Sequence, residues 1–203
     1  MSIIALVGNP NSGKTTLFNA LTGSNQHIGN WPGVTVEKKE GKFKHKEKQY
    51  SVIDLPGTYS LGAYSEDELV ARNFILSGAS DVVINVVDAT NIERNLYLTT
   101  QLLEMGVKVV VALNMMDEAK QKNIEIDVCA LSKSLGIPVV ATIASKNKGL
   151  EDLIEKAVEY ASSGEQPRID ISYGEEIDRE IDRVKGFLDS SKSDHPKWLA
   201  IKL

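Results

Sequence analysis

Short apolar runs of strand length, at residues 3–7, 51–54, 82–87, 108–113 and 138–142, alternate with stretches whose apolar positions recur at helical spacing. Runs that are apolar throughout predict strands buried on both faces, as in a parallel sheet with helices above and below. Helices are predicted to begin near Lys14, Glu66, Ile92, Asp127 and Leu150, the third placing Ile92, Leu96, Thr99 and Leu103 on one face. The pattern is that of a doubly wound α/β domain with a mainly parallel sheet. Residues 37–50 break the alternation: Lys- and Glu-rich around a tip at His45, Lys46, Glu47 and Lys48, they read as an antiparallel edge strand and hairpin. Residues 162–167 are turn-rich and mark a boundary, so residues 1–163 form the α/β domain and residues 164–203 begin a smaller α-helical one. In that second piece Ile177, Ile181, Val184 and Leu188 stand at helical spacing, and Pro196 suits the first turn of a last helix. That helix has no stop signal before Leu203, and the expectation is a chain that ends inside a longer protein.

Charge and composition narrow the partners. Of 203 residues 42% are hydrophobic, enough for a sizeable core, and 23 Lys and Arg against 28 Asp and Glu leave a net charge of −5. The sign is wrong for coating phosphate backbones, so no nucleic-acid partner is expected. Cys129 is the one cysteine, which excludes an internal disulfide; beside Val128 and Leu131 it reads as a small buried hydrophobe. The amino terminus lacks the charged and apolar regions of a signal peptide, and no apolar run approaches the roughly 20 residues that span a bilayer. A soluble, cytosolic fragment is expected.

Residues Gly8-Asn9-Pro10-Asn11-Ser12-Gly13-Lys14-Thr15 fit the phosphate-binding P-loop pattern and sit between a strand and a helix. That context separates them from a glycine-rich turn of no function. The loop must bend so that successive N–H groups converge on phosphates, with Gly8 and Gly13 bare to permit the wrap. Lys14 would neutralise the β and γ phosphates and the Thr15 hydroxyl would ligate Mg²⁺, with Thr16 beside it in the same phosphate-binding string. Asp54-Leu55-Pro56-Gly57 ends a strand at the edge where ligands of doubly wound folds bind. Asp54 there could hold Mg²⁺ through water and Gly57 could turn its N–H to a γ phosphate, although the same string could be a simple turn. Between these motifs, Thr35 could reach the metal once γ phosphate is present, with Gly33 and Val34 alongside the nucleotide.

Asn114-Met115-Met116-Asp117 also follows an apolar strand. Asp117 could accept two hydrogen bonds from guanine, at N1–H and the exocyclic amine; adenine would leave the carboxylate unpaired, so the base is guanine. Asp117 could instead cap the following turn, but the order and spacing after the other motifs favour the base. Ile143, Ala144 and Ser145 would set backbone N–H groups near the guanine O6.

With these five elements in order, residues 1–163 resemble a small GTPase domain of the translation-factor-related class. The longer strings at 8–15 (GNPNSGKT), 30–37 (NWPGVTVE), 54–61 (DLPGTYSL) and 88–98 (DATNIERNLYL) closely resemble the ferrous iron transport protein B family, FeoB. In that family a G domain is followed by a helical domain that resembles a nucleotide-dissociation inhibitor, and then by a membrane-embedded domain that carries Fe²⁺. The resemblance implies GTP and GDP as ligands, GTP hydrolysis, Mg²⁺ as cofactor, and the membrane-embedded domain of the same polypeptide as partner at the cytoplasmic face of the cell membrane. A homo-oligomer is a further open partner. The resemblance also assigns residues 25–36 to switch I and 60–65 to switch II, and starts the helical domain at about Arg168.

Three positions depart from the general GTPase pattern. Met115 replaces a lysine whose stem packs on the base, which a methionine stem can imitate. Ile143 replaces a serine, so only the backbone contacts of Ala144 and Ser145 carry over. Thr58 follows Gly57 where signalling GTPases carry a water-orienting glutamine. With no evident arginine finger, hydrolysis is expected to be slow unless charge is added. In potassium-activated relatives an asparagine at the position of Asn11 helps to hold K⁺ against the phosphates; the alternative is that Asn11 merely bonds the loop backbone. The residues expected to act in hydrolysis are thus Asn11, Lys14, Thr35 and Gly57. His27 lacks neighbours for a metal site and is assigned to solvent, and Trp31 reads equally as a mobile exposed ring or a partner anchor. An RNA or ribosome assembly GTPase and a nucleotide-binding module without turnover are the rival functions.

Overall fold

The computed structural model describes residues 2–164, 171–189 and 196–203. Seven strands form one sheet in the order β2-β3-β4-β1-β5-β6-β7. They are β1 (Ser2–Gly8), β2 (Gln26–Asn30), β3 (Glu37–His45), β4 (Lys48–Asp54), β5 (Val82–Asp88), β6 (Val109–Asn114) and β7 (Val139–Ala141). β4, β1, β5, β6 and β7 run parallel, while β3 is antiparallel to both β4 and β2. The hairpin tip falls at Lys46 and Glu47, both with positive φ. β3 is not the edge, however: β2, drawn from the segment assigned to switch I, pairs outside it. Its sequence, with two glycine or asparagine positions in five residues, carries little strand signal.

The all-apolar runs behave as their lack of alternation requires. On β6, Val109, Val111 and Leu113 enter one core and Val110 and Ala112 the other, all fully buried. The helices are α1 (Lys14–Thr22), α2 (Glu66–Leu76), α3 (Ile92–Glu104), α4 (Met116–Gln121), α5 (Val128–Leu135), α6 (Leu150–Ser162), α7 (Glu175–Asp189) and α8 (Pro196–Lys202). α1 and α6 cover one face through Leu17, Phe18, Leu153 and Ala157; α2 and α3 cover the other through Ala71, Ile75, Leu98 and Leu102. Trp198 of α8 joins the α3 side, and α7 lays Ile181 and Val184 against Ala200 and Ile201 of α8. Part of the boundary stretch, residues 165–167, and Arg168 lie outside the described residues. Among the described residues no helix is long and apolar enough to cross a membrane.

Two expectations about faces are corrected. Of the four residues expected on the inner face of α3, Thr99 and Leu103 are buried but Ile92 and Leu96 only half-buried, and Asn95, Leu98 and Leu102 complete the buried stripe. Hydrophobicity passes over Asn95 because it is polar, yet it is satisfied inside: its Oδ1 accepts from the Asp88 N–H at 3.2 Å, as Thr99 Oγ1 accepts from Asn85 Nδ2 at 2.8 Å. Cys129 is exposed. Val128, Leu131 and Leu135 form the inward face of α5, and the position one residue after Val128 turns about 100° away.

Candidate nucleotide site

β1 ends at Gly8 and α1 begins at Lys14, so five residues reverse the chain at the carboxyl edge of the sheet. The turn leaves no room for side chains at its glycines. A Cβ on Gly8 would lie 2.7 Å from the Val86 carbonyl oxygen, and one on Gly13, whose φ is +85°, would lie 2.3 Å from Asn114 Nδ2. Asn11 adopts φ 67°, a left-handed conformation that asparagine tolerates, and its exposed side chain makes no hydrogen bond among the described residues. The N-terminus of α1 has neither a capping side chain nor an acidic residue in its first turn, whereas α2 has the Ser65 cap and Glu66, Asp67 and Glu68. The amides of α1 and the positive end of its dipole are therefore left for an anion. Thr15 and Thr16 stand exposed in the same turn. Both polar side-chain atoms of Asn9, and Ser12 Oγ, are buried without a hydrogen-bond partner among the described residues. Orphaned polar atoms are costly, and their concentration in this loop fits a site built for a polar ligand.

Lys14 and Asp54 meet here as a nearly buried ion pair. Burial pushes the Asp54 carboxyl above the usual carboxylate range, against the opposing pull of Lys14 and Lys39. Gly57 lies under the loop, its Cβ position 3.6 Å from Pro10 Cα, and the next N–H, of Thr58, donates to the Gly8 carbonyl at 3.2 Å. Leu55 is fully buried and Pro56 half-buried, so they shape this turn from within. The Thr58 hydroxyl is buried and donates to the Ser60 carbonyl at 2.6 Å, so it does not stand in for a glutamine. Two arginines that sequence reasoning passed over lie beside the following loop: Arg72 donates to the Gly62 carbonyl at 3.2 Å, and the Arg94 guanidinium lies 4.0 Å from the Tyr59 ring centroid.

Gly33, Val34 and Thr35 are not brought to the P-loop by any described hydrogen bond. They occupy the loop joining β2 to β3, closed by the Trp31 N–H donating to the Val36 carbonyl at 2.9 Å, with Thr35 exposed. Trp31 is not a free ring. It packs edge-on against Phe74 of α2 at 5.4 Å, with Lys38 Nζ 5.3 Å from its centroid. His27 is exposed, as expected.

The remaining two motifs converge on one buried amide. Asn114 Nδ2 donates to the Ser12 carbonyl at 3.0 Å, while its Oδ1 accepts from the Ala144 N–H at 3.0 Å and from Thr142 Oγ1 at 3.3 Å. One side chain thus ties the P-loop to both loops expected at the base. The Ala144 amide is consequently engaged with Asn114, while Ser145 is exposed beside it and Ile143 is half-buried. Met115 takes φ 62°, and its Cε is 3.4 Å from the Cβ position of Gly13, which sets its stem next to the P-loop. Met116 starts α4 and packs half-buried on the core. Asp117, in the first turn of α4, forms an ion pair with Lys146 at 2.6 Å. The Lys146 hydrogen bond holds the Asp117 carboxyl below the usual carboxylate range. Lys146 was missed because its string suggested backbone contacts only.

A family model described as ferrous iron transport protein B matches residues 2–157. The chain belongs to the FeoB family. It is 47% identical over 208 residues to the Fe(2+) transporter FeoB of Escherichia coli K12, a match covering 98% of this chain and 26% of that protein. The chain therefore spans about a quarter of the length of the curated FeoB relatives it matches. Among solved structures it is similar to the cytosolic domain of the T. maritima FeoB iron transporter at 50% identity, with TM-scores of 0.96 to a GDP form and 0.95 to a GMPPNP form. Each match covers 100% of this chain and 80% of that one. The mixed sheet with its antiparallel edge strands and flanking helices is thus the FeoB G-domain fold.

Proposed function

We propose that the chain is the GTP-binding and GTP-hydrolysing regulatory domain of a ferrous iron membrane transporter, dependent on Mg²⁺ and stimulated by K⁺. The observation that carries this reading is the Asn114 side chain, whose three hydrogen bonds hold the phosphate loop and the base loops at one separation, as a single nucleotide requires. Residues 1–163 are then the G domain, and residues 164–203 begin a dissociation-inhibitor-like helical domain. The partner is the membrane-embedded part of the same polypeptide, at the cytoplasmic face of the membrane. The GDP and GMPPNP forms of the T. maritima relative support the choice of ligand.

In this reading the amides around Asn9–Gly13 and the Lys14 ammonium bind the β and γ phosphates, which requires Lys14 to exchange Asp54 for the nucleotide. Thr15, Thr35 and, through water, Asp54 would hold Mg²⁺, and Asn11 would help to hold K⁺; when bound, these cations supply positive charge to the phosphate oxygens. The uncapped end of α1, the orphaned polar atoms of Asn9 and Ser12, and the unengaged Asn11 side chain fit such an assembly. Gly57 turns its N–H to the γ phosphate. Water attacks the γ phosphorus, the bond to the β-bridging oxygen breaks, and GDP and phosphate leave. With the Thr58 hydroxyl committed to Ser60, orientation of that water falls to backbone groups of switch I, and Thr35 must leave its exposed loop to close the site. Asp117 reads guanine as a carboxylate, the form that Lys146 further favours, while the Met115 stem covers the base and the Ser145 amide approaches O6.

Single-turnover GTP hydrolysis in KCl and in NaCl at equal ionic strength, with a filter-binding assay against RNA, tests the reading. The expected result is turnover that is faster in KCl, with no RNA retained. Nucleotide binding with no turnover in either salt would leave a binding module, and specific RNA retention would favour an assembly GTPase.

A further inference from the structure

One side of α3, buried at Gln101 and exposed at Arg94, reaches past the sheet. Arg94 and Gln101 are seven residues apart, so they share one side of the helix about 10 Å from each other. Both grip the loop that follows Gly57. Arg94 stacks on Tyr59, and Gln101 Oε1 accepts the Leu61 N–H at 2.7 Å. Gln101 is 3% exposed and Leu61 fully buried, so water has no ready access to replace that bond. Upstream, the Thr58 N–H is held by the Gly8 carbonyl, and the Thr58 hydroxyl closes on Ser60. The loop is thus fixed at its start to the P-loop and, three residues later, to a helix outside the five nucleotide motifs.

We propose that Gln101 is a positioning residue for switch II: by holding the Leu61 N–H it fixes the loop on which Gly57 presents its own N–H to a γ phosphate. This rests on the GTPase reading above. A buried neutral amide suits the task because it offers a directional acceptor without the desolvation cost of a carboxylate. The bond acts where γ phosphate is recognised, some distance from the base and from the amides that meet the β phosphate. Its loss should therefore discriminate against the triphosphate state and spare GDP.

Gln101→Met keeps length and removes the acceptor, whereas Gln101→Glu keeps an acceptor oxygen in either protonation state. The measurements, on the protein and both variants, are affinities for GDP and for GMPPNP and the kcat and KM of GTP hydrolysis. For Gln101→Met the expected result is GDP affinity close to the parent's, a GMPPNP-to-GDP affinity ratio lowered about tenfold, and a fall in kcat larger than any rise in KM. Gln101→Glu, measured near pH 6 where burial favours the protonated, neutral carboxyl, should recover most of both. The proposal is overturned if the ratio and kcat stay at parental values in Gln101→Met, or if GDP and GMPPNP affinity fall together, which would mark a general structural role. Failure of Gln101→Glu to recover either quantity would likewise overturn it. The affinity ratio needs no turnover, so a parent that binds both nucleotides without hydrolysing GTP would fail the functional reading while leaving this test intact.

Discussion

Removing the Asn114 side chain is the sharpest test of how the site is held together. In Asn114→Ala the Ser12 carbonyl and the Ala144 N–H lose partners at 3.0 Å while remaining in residues that are 1% and 3% exposed. Each orphaned buried backbone group costs about 1–3 kcal/mol. The third bond, from Thr142 at 3.3 Å, is longer, and a hydroxyl can rotate to another acceptor, so it adds little. Water entering the polar hole would recover part of the loss, leaving an expected destabilisation of about 2–4 kcal/mol. Against a total of roughly 5–15 kcal/mol for a domain, that is a large fraction. Urea titration of parent and variant, followed by circular dichroism, would read it as a lower midpoint at an unchanged slope. Because both loops relax, GDP affinity should fall in the same variant although Asn114 itself is held by protein groups on both sides. Asn114→Asp keeps both acceptor functions but loses the donor to Ser12 and adds a buried charge, so it should be no better than alanine. A midpoint shift equivalent to less than about 0.5 kcal/mol in Asn114→Ala, at unchanged slope, would refute the three-way tie.

Asp117→Asn should weaken GTP binding and favour xanthine nucleotide, whose 2-oxo group accepts from the new amide; competition binding with the two nucleotides checks this, and unchanged GTP preference would remove Asp117 from the base site. Lys146→Ala should move the acid limb of GDP binding to higher pH, because Lys146 depresses the Asp117 carboxyl. For a depressed carboxylate the ion-pair stabilisation is full above its unfolded value, near 3.9, and is lost as pH falls through the folded value; the ionised fraction of Asp117 therefore differs between parent and variant only below about pH 5, and an acid limb unmoved by Lys146→Ala would refute the assignment. Thr35→Ala should keep GDP affinity and lose hydrolysis in single-turnover assays, and a normal rate would mean that another residue closes the site. Asn11→Ala should erase the difference between KCl and NaCl rates with GDP affinity nearly intact; a potassium effect that survives the substitution would free Asn11 of the ion.

Much of the fold was legible because burial on both faces writes an unbroken apolar run, and because phosphate loops demand glycine at fixed positions. The strands around Val83 and Val110, the P-loop and the order of the nucleotide motifs all follow from such local rules. β2 was illegible for the opposite reason: Gln26–Asn30 is an exposed edge strand stabilised by its neighbour β3 more than by its own composition. Asn95 hid part of the inner face of α3, since periodicity counts a polar residue as outward whether or not a partner awaits it inside.

The chain's sequence alone therefore determined the alternation of strands and helices, the turn chemistry at Gly8 and Gly13, the residue types available to a guanine nucleotide and the resemblance to the FeoB family. Tertiary structure alone decided which polar atoms meet. Ser12 and Asn114 are separated by 102 residues, Leu61 and Gln101 by 40, and Asp117 and Lys146 by 29. Local propensity acts over a turn or two of chain, whereas a hydrogen bond forms only where two distant backbones have been brought within about 3 Å by the packing of everything between them. The same holds for the outward turn of Cys129 and the seat of Trp31 on Phe74, each set by what the sheet and α2 present to it.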